Sequence, residues 1–266
     1  MIMETKKTVK AGLIQFDVKL GDVESNLEVA FQGIDSLGAG KTDIAVLPEM
    51  WSCGFDNQKL TVHAEKTGAI IDRLSQAAFR YNMIIAGSLP ESSGNNIYNT
   101  MYVIDRNGDI AGTYRKIHLF SLTGEDKYFS AGNKAVVCET SIGPVGLMIC
   151  YDLRFPELCR SLALSQAILV IVSAQWPIGR TRHWDILLRA RAIENQIFVI
   201  AANRNGKEEG IEYGGHSQFV TPLGDVLDMA KNESCILNAR LDLSEISEFR
   251  NKIPCLDERV PGSYAV

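Results

Sequence analysis

No run of 18 apolar residues occurs anywhere in the 266-residue chain, so no segment reads as a membrane-spanning helix. The opening stretch, MIMETKKTVKAGL, lacks the apolar core of a secretory signal. Basic residues are neither abundant nor grouped. Lys and Arg number 27 against 32 Asp and Glu, a net charge of −5, and the only basic cluster is Lys6, Lys7 and Lys10. That balance gives no electrostatic footprint for nucleic acid. The six cysteines (53, 138, 150, 159, 235 and 255) form no CxxC pair. Reduced thiols are therefore expected, at most one of them with a special role. Linkers, low-complexity tracts and tandem repeats of the known length classes are also missing. A single domain from residue 8 to 266 is the expected organisation, in a cytoplasmic protein with neither a membrane nor a nucleic-acid partner.

What is present is a chain 46% hydrophobic and 22% charged, the profile of a globular α/β domain. Val9–Phe16 reads as a strand. Residues 26–36 carry apolar side chains at 27, 30, 31 and 34, a helical period. Ile44–Leu47 is a short apolar run that stops at Pro48, residues 67–81 read as a second helix, and 83–88 as a buried strand. This alternation argues for central strands covered by helices. The pattern then switches to hairpins. Residues 98–104 and 110–116 are joined through Asn107-Gly108, a strong hairpin signal, and 136–140 pairs with 145–149. Alternation resumes with a Pro-started helix at 156–164, a strand at 168–173, a helix at 182–196 and a strand at 198–202. A last hairpin (217–221 with 226–229), a strand at 235–241 and a helix from Ser244 complete the pattern. Residues 253–266 read as an ordered C-terminal tail.

Three of these strands end abruptly in a reactive group: Ile44–Leu47 in Glu49, 110–115 in Lys116, and 145–149 in Cys150. Ligands bind at the carboxyl ends of strands in open α/β sheets, so three such ends can converge on one site. Cys150 stands between a rigid apolar strand and a Pro-started helix, a context like that of a nucleophile elbow. There the helix dipole is expected to favour the thiolate. Glu49 is followed by Met50-Trp51, and apolar neighbours raise a carboxyl pKa toward that of a general base. Lys116 is a cation placed to face a developing oxyanion. The bland readings are an inert buried thiol, a loop carboxylate and an exposed strand-end lysine.

The phrases Val46-Leu47-Pro48-Glu49-Met50, Tyr114-Arg115-Lys116-Ile117-His118-Leu119 and Ile149-Cys150-Tyr151-Asp152-Leu153-Arg154-Phe155-Pro156 resemble the carbon–nitrogen hydrolase (nitrilase) superfamily. That superfamily is defined by a Glu, a Lys and a Cys in this order, each in such a phrase. The spacings, 67 residues and then 34, are similar too, and the resemblance runs from about residue 8 to the end. It implies an α/β fold, a four-layer α-β-β-α sandwich, in a homodimer or a higher homo-oligomer. It also implies a cysteine-thioester mechanism with Cys150 as nucleophile, Glu49 as base and Lys116 as oxyanion stabiliser, without a cofactor. Glu125 fits the place of a second glutamate near the lysine. Tyr151 would give its backbone N–H to the oxyanion, Trp176 would wall the pocket, and Arg154, helped by Arg180 and Arg182, would grip a substrate carboxylate.

Within the superfamily the chain is most similar to the omega-amidase branch, which implies hydrolysis of the omega-amide of a 2-oxo dicarboxylic acid. The loop Ser121–Phe129 is shorter than in animal omega-amidases, and it borders the pocket. The triad itself permits nitriles and other small amides or carbamoyl compounds as well. A catalytically inactive binding module would be expected only if a triad residue were missing. His118, His183 and His216 match no zinc spacing, so hydrogen bonding is their expected role and no metal is implied.

Overall fold

The computed structural model describes residues 8–263. The first half of the chain supplies β1 (Thr8–Gln15), β2 (Ile44–Val46), β3 (Ile84–Ser93), β4 (Asn96–Ile104) and β5 (Ile110–Arg115). Helices α1 (Val23–Ala39) and α2 (Leu60–Tyr81) cross between β1, β2 and β3. The second half supplies β6 (Val137–Thr140), β7 (Gly143–Ile149), β8 (Leu169–Ala174) and β9 (Phe198–Asn203), with α3 (Pro156–Leu164) and α4 (Thr181–Asn195) as its crossovers. Next come the strand pair β10 (Asn205–Glu208) and β11 (Ile211–Gly214), then β12 (Gln218–Val220), β13 (Val226–Met229), β14 (Cys235–Asp242) and α5 (Ser244–Lys252).

Two six-stranded sheets result, in the orders β14-β1-β2-β3-β4-β5 and β13-β12-β9-β8-β7-β6, with β10–β11 as a small separate ribbon. Each sheet has three parallel strands at its centre, β1-β2-β3 and β7-β8-β9, flanked by antiparallel strands. The halves thus repeat one pattern, a βαβαβ unit with hairpin strands added at its edges. α1 and α2 pack on the first sheet, α3 and α4 on the second, and the sheets face each other through β1–β9 and β5–β6. This is the expected four-layer α-β-β-α sandwich.

Strand periodicity explains the layering. Val9, Ala11 and Leu13 of β1, Ile44 and Val46 of β2, and Ile84 and Ala86 of β3 point into the core between the sheets. The alternate residues Ile14, Ala45 and Ile85 belong to the second core, beneath α1 and α2, with Leu27, Ile34, Leu37, Ile70 and Leu74. A strand covered on both faces needs apolar side chains at every position, so these strands read as continuous apolar runs. The helices stop where the chain can turn left-handed: α2 at Asn82 (φ 50°) and α4 at Gln196 (φ 52°).

Three elements differ from the sequence reading. α2 begins at Leu60, seven residues earlier than expected, behind a turn at Asn57–Lys59; its first two turns carry too little apolar character to show a period. β3 runs on to Ser93 and forms a hairpin with β4 through exposed residues. The β10–β11 ribbon was not expected, because Asn205–Gly214 is mostly polar and glycine-bearing. Of the tail, Tyr264 and Val266 lie outside the described residues.

Near the end of β5 the backbone of Gly132 passes against the chain. Its N–H donates to the Lys116 carbonyl at 2.8 Å, and a Cβ placed there would lie 2.1 Å from the Arg115 carbonyl oxygen. Backbone cannot yield as a flexible side chain does, so Gly132→Ala is expected to destabilise the protein by about 1–3 kcal/mol. Urea denaturation should show a lower midpoint at unchanged slope. A wild-type midpoint would contradict this close approach.

Candidate functional site

The three strand ends singled out in the sequence meet between the sheets. After β2, the carbonyl of Leu47 accepts from Ser173 Oγ (2.8 Å) of the opposite sheet, and the N–H of Glu49 donates to Ala174 O (3.4 Å). Met50, at φ 45°, donates its N–H to Ser88 Oγ (2.8 Å). These bonds carry the chain out of the first sheet and turn the Glu49 side chain into the gap. Lys116 follows β5, its N–H bonded to Asn99 O (2.9 Å).

Cys150 follows β7 at φ 45°, a left-handed conformation costly for a residue with a Cβ and one that clusters at functional sites. A short 3₁₀ turn, Cys150–Arg154, separates it from α3. One buried carboxylate braces this elbow. Asp152 accepts from the Ile149 N–H (2.9 Å), the Tyr114 hydroxyl (2.7 Å) and the His118 N–H (3.0 Å), and His118 Nδ1 lies 2.8 Å away. Residues flanking both Lys116 and Cys150 are thus fastened to one side chain.

Lys116, only 2% exposed, donates to Glu49 Oε1 and to both oxygens of Glu125, each at 2.8 Å. Glu49 Oε1 also accepts from Asn99 Nδ2 (2.8 Å), and its Oε2 from the Gln175 N–H (2.9 Å). Cys150 lines the same cavity as this carboxylate, close enough for the Glu49 charge to act on its thiol. Glu125 is held by the Phe120 N–H as well (2.7 Å).

Burial raises the Glu49 pKa above the ordinary carboxylate value, against the pull of Lys116, and Glu125 raises it further. Lys116 is buried too, but the two glutamates outweigh that burial and hold it protonated. For Cys150 the outcome reverses the sequence expectation. Burial and the charge of Glu49 push the thiol well above its usual value, and Lys116 offsets only part of this. The thiol is thereby favoured in its neutral form over a dipole-stabilised thiolate.

These four residues line a cavity of about 170 Å³ together with Tyr151, Arg154, Gln175, Trp176 and Arg180. Trp176 is 3% exposed and anchored by Nε1 on Arg180 O (2.8 Å), so it is at once a core residue and a pocket wall. Arg154 lies over the Trp176 ring (4.7 Å) and Arg180 over Phe120 (5.3 Å). Asp152 and Asp185, possible partners for these arginines, are engaged elsewhere, Asp185 with His216 and Gln218. Among the described residues no carboxylate forms an ion pair with Arg154 or Arg180. Burial, and then the neighbouring charge of Arg180, lowers the Arg154 pKa. Arg182 is exposed and does not line the cavity. His118, His183 and His216 pair with Asp152, Arg154 and Asp185 respectively.

Sequence reasoning missed Asn99, Gln175 and the ribbon residues Glu208, Glu209, Ile211 and Tyr213 of the pocket wall. Gln175 was within reach, because it follows β8 at a further strand carboxyl end, beside the strand of Cys150. Asn99 becomes visible only once the β4–β5 register places it next to Lys116.

The family model for carbon-nitrogen hydrolases matches residues 10–251. A 2-oxoglutaramate amidase of Bacillus subtilis is 38% identical over 247 residues, 92% of this chain and 95% of that protein. The crystal structure of Saccharomyces cerevisiae Nit3, a nitrilase-superfamily member, superposes with a TM-score of 0.88 at 27% identity, over 97% of this chain and 98% of that one. A Glu-to-Gln variant of an amidase from Nesterenkonia sp. AN1 superposes with a TM-score of 0.85 at 26% identity, over 96% and 95%. That structure has the acetamide moiety of fluoroacetamide covalently added at its active-site cysteine. With its two-sheet sandwich and with Glu49, Lys116 and Cys150 gathered between the sheets, this chain belongs to the carbon-nitrogen hydrolase family.

Proposed function

We propose that this protein is a thiol amidohydrolase that cleaves the omega-amide of a small 2-oxo dicarboxylic acid. The observation that carries the reading is the buried cluster in which Lys116 joins Glu49 and Glu125, in one cavity with the Cys150 thiol. The name of the Bacillus subtilis relative supports the substrate class.

In the first half-reaction Glu49 takes the Cys150 proton as the sulfur attacks the amide carbonyl carbon. The oxygen of the tetrahedral adduct is held by Lys116 Nζ and the Tyr151 backbone N–H. At rest the three N–H bonds of Lys116 all go to glutamates. Protonation of Glu49 weakens its claim on Lys116 just as the oxyanion appears, so the negative charge moves from one neighbour of the ammonium to another. The adduct collapses with C–N cleavage, Glu49 returns its proton to the departing ammonia, and a thioester remains on Cys150. Glu49 then deprotonates a water that attacks the thioester, and the acid leaves with the thiol restored. Glu125 holds Lys116 and orients the amide NH₂. Thiol, base and oxyanion site suffice, so the reading needs no cofactor.

Trp176 walls the acyl site, and Arg154 with Arg180 receives the substrate carboxylate. Neither guanidinium has a carboxylate partner among the described residues, and burial, then the charge of Arg180, lowers the Arg154 pKa, so an anion bound there relieves both. We also infer that the domain spans residues 8–266, acts as a homodimer or a multiple of it, and works in the cytoplasm.

Cys150→Ala should release no ammonia from an ω-amide acid while melting as the wild type does, and full activity would end the thiol-enzyme reading. Glu49→Gln should be nearly inactive, because both half-reactions need the base. Hydroxylamine should trap the wild-type acyl group as a hydroxamate. The base must be ionised in the free enzyme and its pKa is raised. The acid limb of kcat/KM should therefore lie above the ordinary carboxylate value of 4.5, with activity lost as pH falls through it.

The substrate charge is tested by comparing kcat/KM for the ω-amide acid and its methyl ester. Leaving the arginines unpaired should cost about 2 kcal/mol or more, roughly thirtyfold. Equal rates would discard the carboxylate site and point to a neutral amide.

A further inference from the structure

Arg204 follows β9, is fully buried, and lies outside the pocket lining. Its Nη1 donates to Gln175 Oε1 (3.0 Å) and Glu208 Oε2 (2.6 Å), and its Nη2 to Asp17 Oδ1 (3.0 Å) and the Val18 carbonyl. The guanidinium stacks on the Tyr213 ring at 4.4 Å. Two of these partners reach the site. Gln175 is the first. Arginine only donates, so the amide oxygen of Gln175 must face Arg204 and its NH₂ must face away. The NH₂ then donates to the main-chain carbonyl of Glu49 (2.8 Å), while the Gln175 N–H donates to Glu49 Oε2 (2.9 Å). The orientation of the amide is thus dictated from one side by a cation and spent on the other in holding the Glu49 main chain, which sets the carboxylate against the Gln175 backbone N–H. The Ala174 carbonyl also accepts from both the Glu49 and the Arg204 N–H groups (3.4 and 3.2 Å). The second partner is Glu208, which stands on β10 and lines the pocket.

We propose that Arg204 is a positioning residue for the general base: through Gln175 it holds Glu49 in the pose that receives the Cys150 proton, and through Glu208 it ties that hold to the seating of the β10–β11 ribbon. The proposal rests on the amidase reading above and deepens it. Its competitor is an arginine that merely neutralises Asp17 and Glu208. The two differ in one observable. A carboxylate that accepts an N–H bond keeps a lower pKa than one that has lost it. Releasing the Glu49 main chain from the Gln175 amide lets the carboxylate draw away from the Gln175 N–H, which raises its pKa and moves the acid limb of the rate profile to higher pH, whereas loss of an ion pair alone lowers stability and leaves the limb in place.

The test uses the full chain with Arg204→Lys, whose ammonium neutralises Asp17 and Glu208 without also reaching Gln175, and Gln175→Met, which keeps length and removes both side-chain bonds. In each, kcat for the ω-amide acid should fall about tenfold or more with KM within about threefold, and the acid limb should move up. The double variant should be no slower than the slower single one, because both break the same link. An unmoved acid limb, or losses that multiply in the double variant, would overturn the proposal. If Arg204→Lys gives no cooperative melt, Arg204→Gln combined with Glu208→Gln removes the cation with one anion and carries the same test.

The pH dependence of Cys150 alkylation by iodoacetamide reads the Glu49–Cys150 pair without any substrate. A shifted alkylation profile in an enzyme that hydrolyses no ω-amide would discard the substrate reading and keep the role of Arg204. Unshifted profiles in an active amidase would discard that role alone.

Discussion

One buried ammonium organises this molecule. Lys116 is out of water, and a lone cation there would be prohibitively costly, so two carboxylates must be brought to it. One comes from the turn after β2 and the other from the short loop after β5, the strand that also delivers Lys116. Burial is what gives the cluster its chemistry. It raises the pKa of both Glu49 and the Cys150 thiol, and the charge of Glu49 adds to the effect on the thiol.

The scaffold has a cost in backbone strain, visible beside the cavity at the left-handed residues Met50 and Cys150. Each is over-determined by bonds from elsewhere, Met50 by Ser88 and the Cys150 elbow by Asp152. Asp152 does more than brace a turn. By accepting from Tyr114, His118 and Ile149 it ties the strand end at Lys116 to the elbow at Cys150, a link no local sequence rule could set.

Much of this was legible in the sequence. Strand runs that break off in Glu49, Lys116 and Cys150 pointed to a site, because strand carboxyl ends in open α/β sheets are where ligands bind. The alternation of strands and helices gave the layers, and Pro156 marked the start of α3. What escaped has a common cause. Asn99 and Gln175 reach Glu49 across 50 and 126 residues, through a strand register and a sheet-to-sheet packing that periodicity does not encode. The β10–β11 ribbon has too little apolar character to read as strands, yet it walls the pocket. The state of the thiol was misread because the dipole of a following helix was weighed, while burial and a neighbouring carboxylate were not.

The neutral resting thiol also bears on survival in an oxidising cell. Peroxides and disulfides react with thiolates, and their rates follow the fraction of sulfur that is ionised. A cysteine kept protonated until a carbonyl is in place offers these oxidants little to attack. Its reactivity is released by the geometry of an amide rather than stored in the free protein.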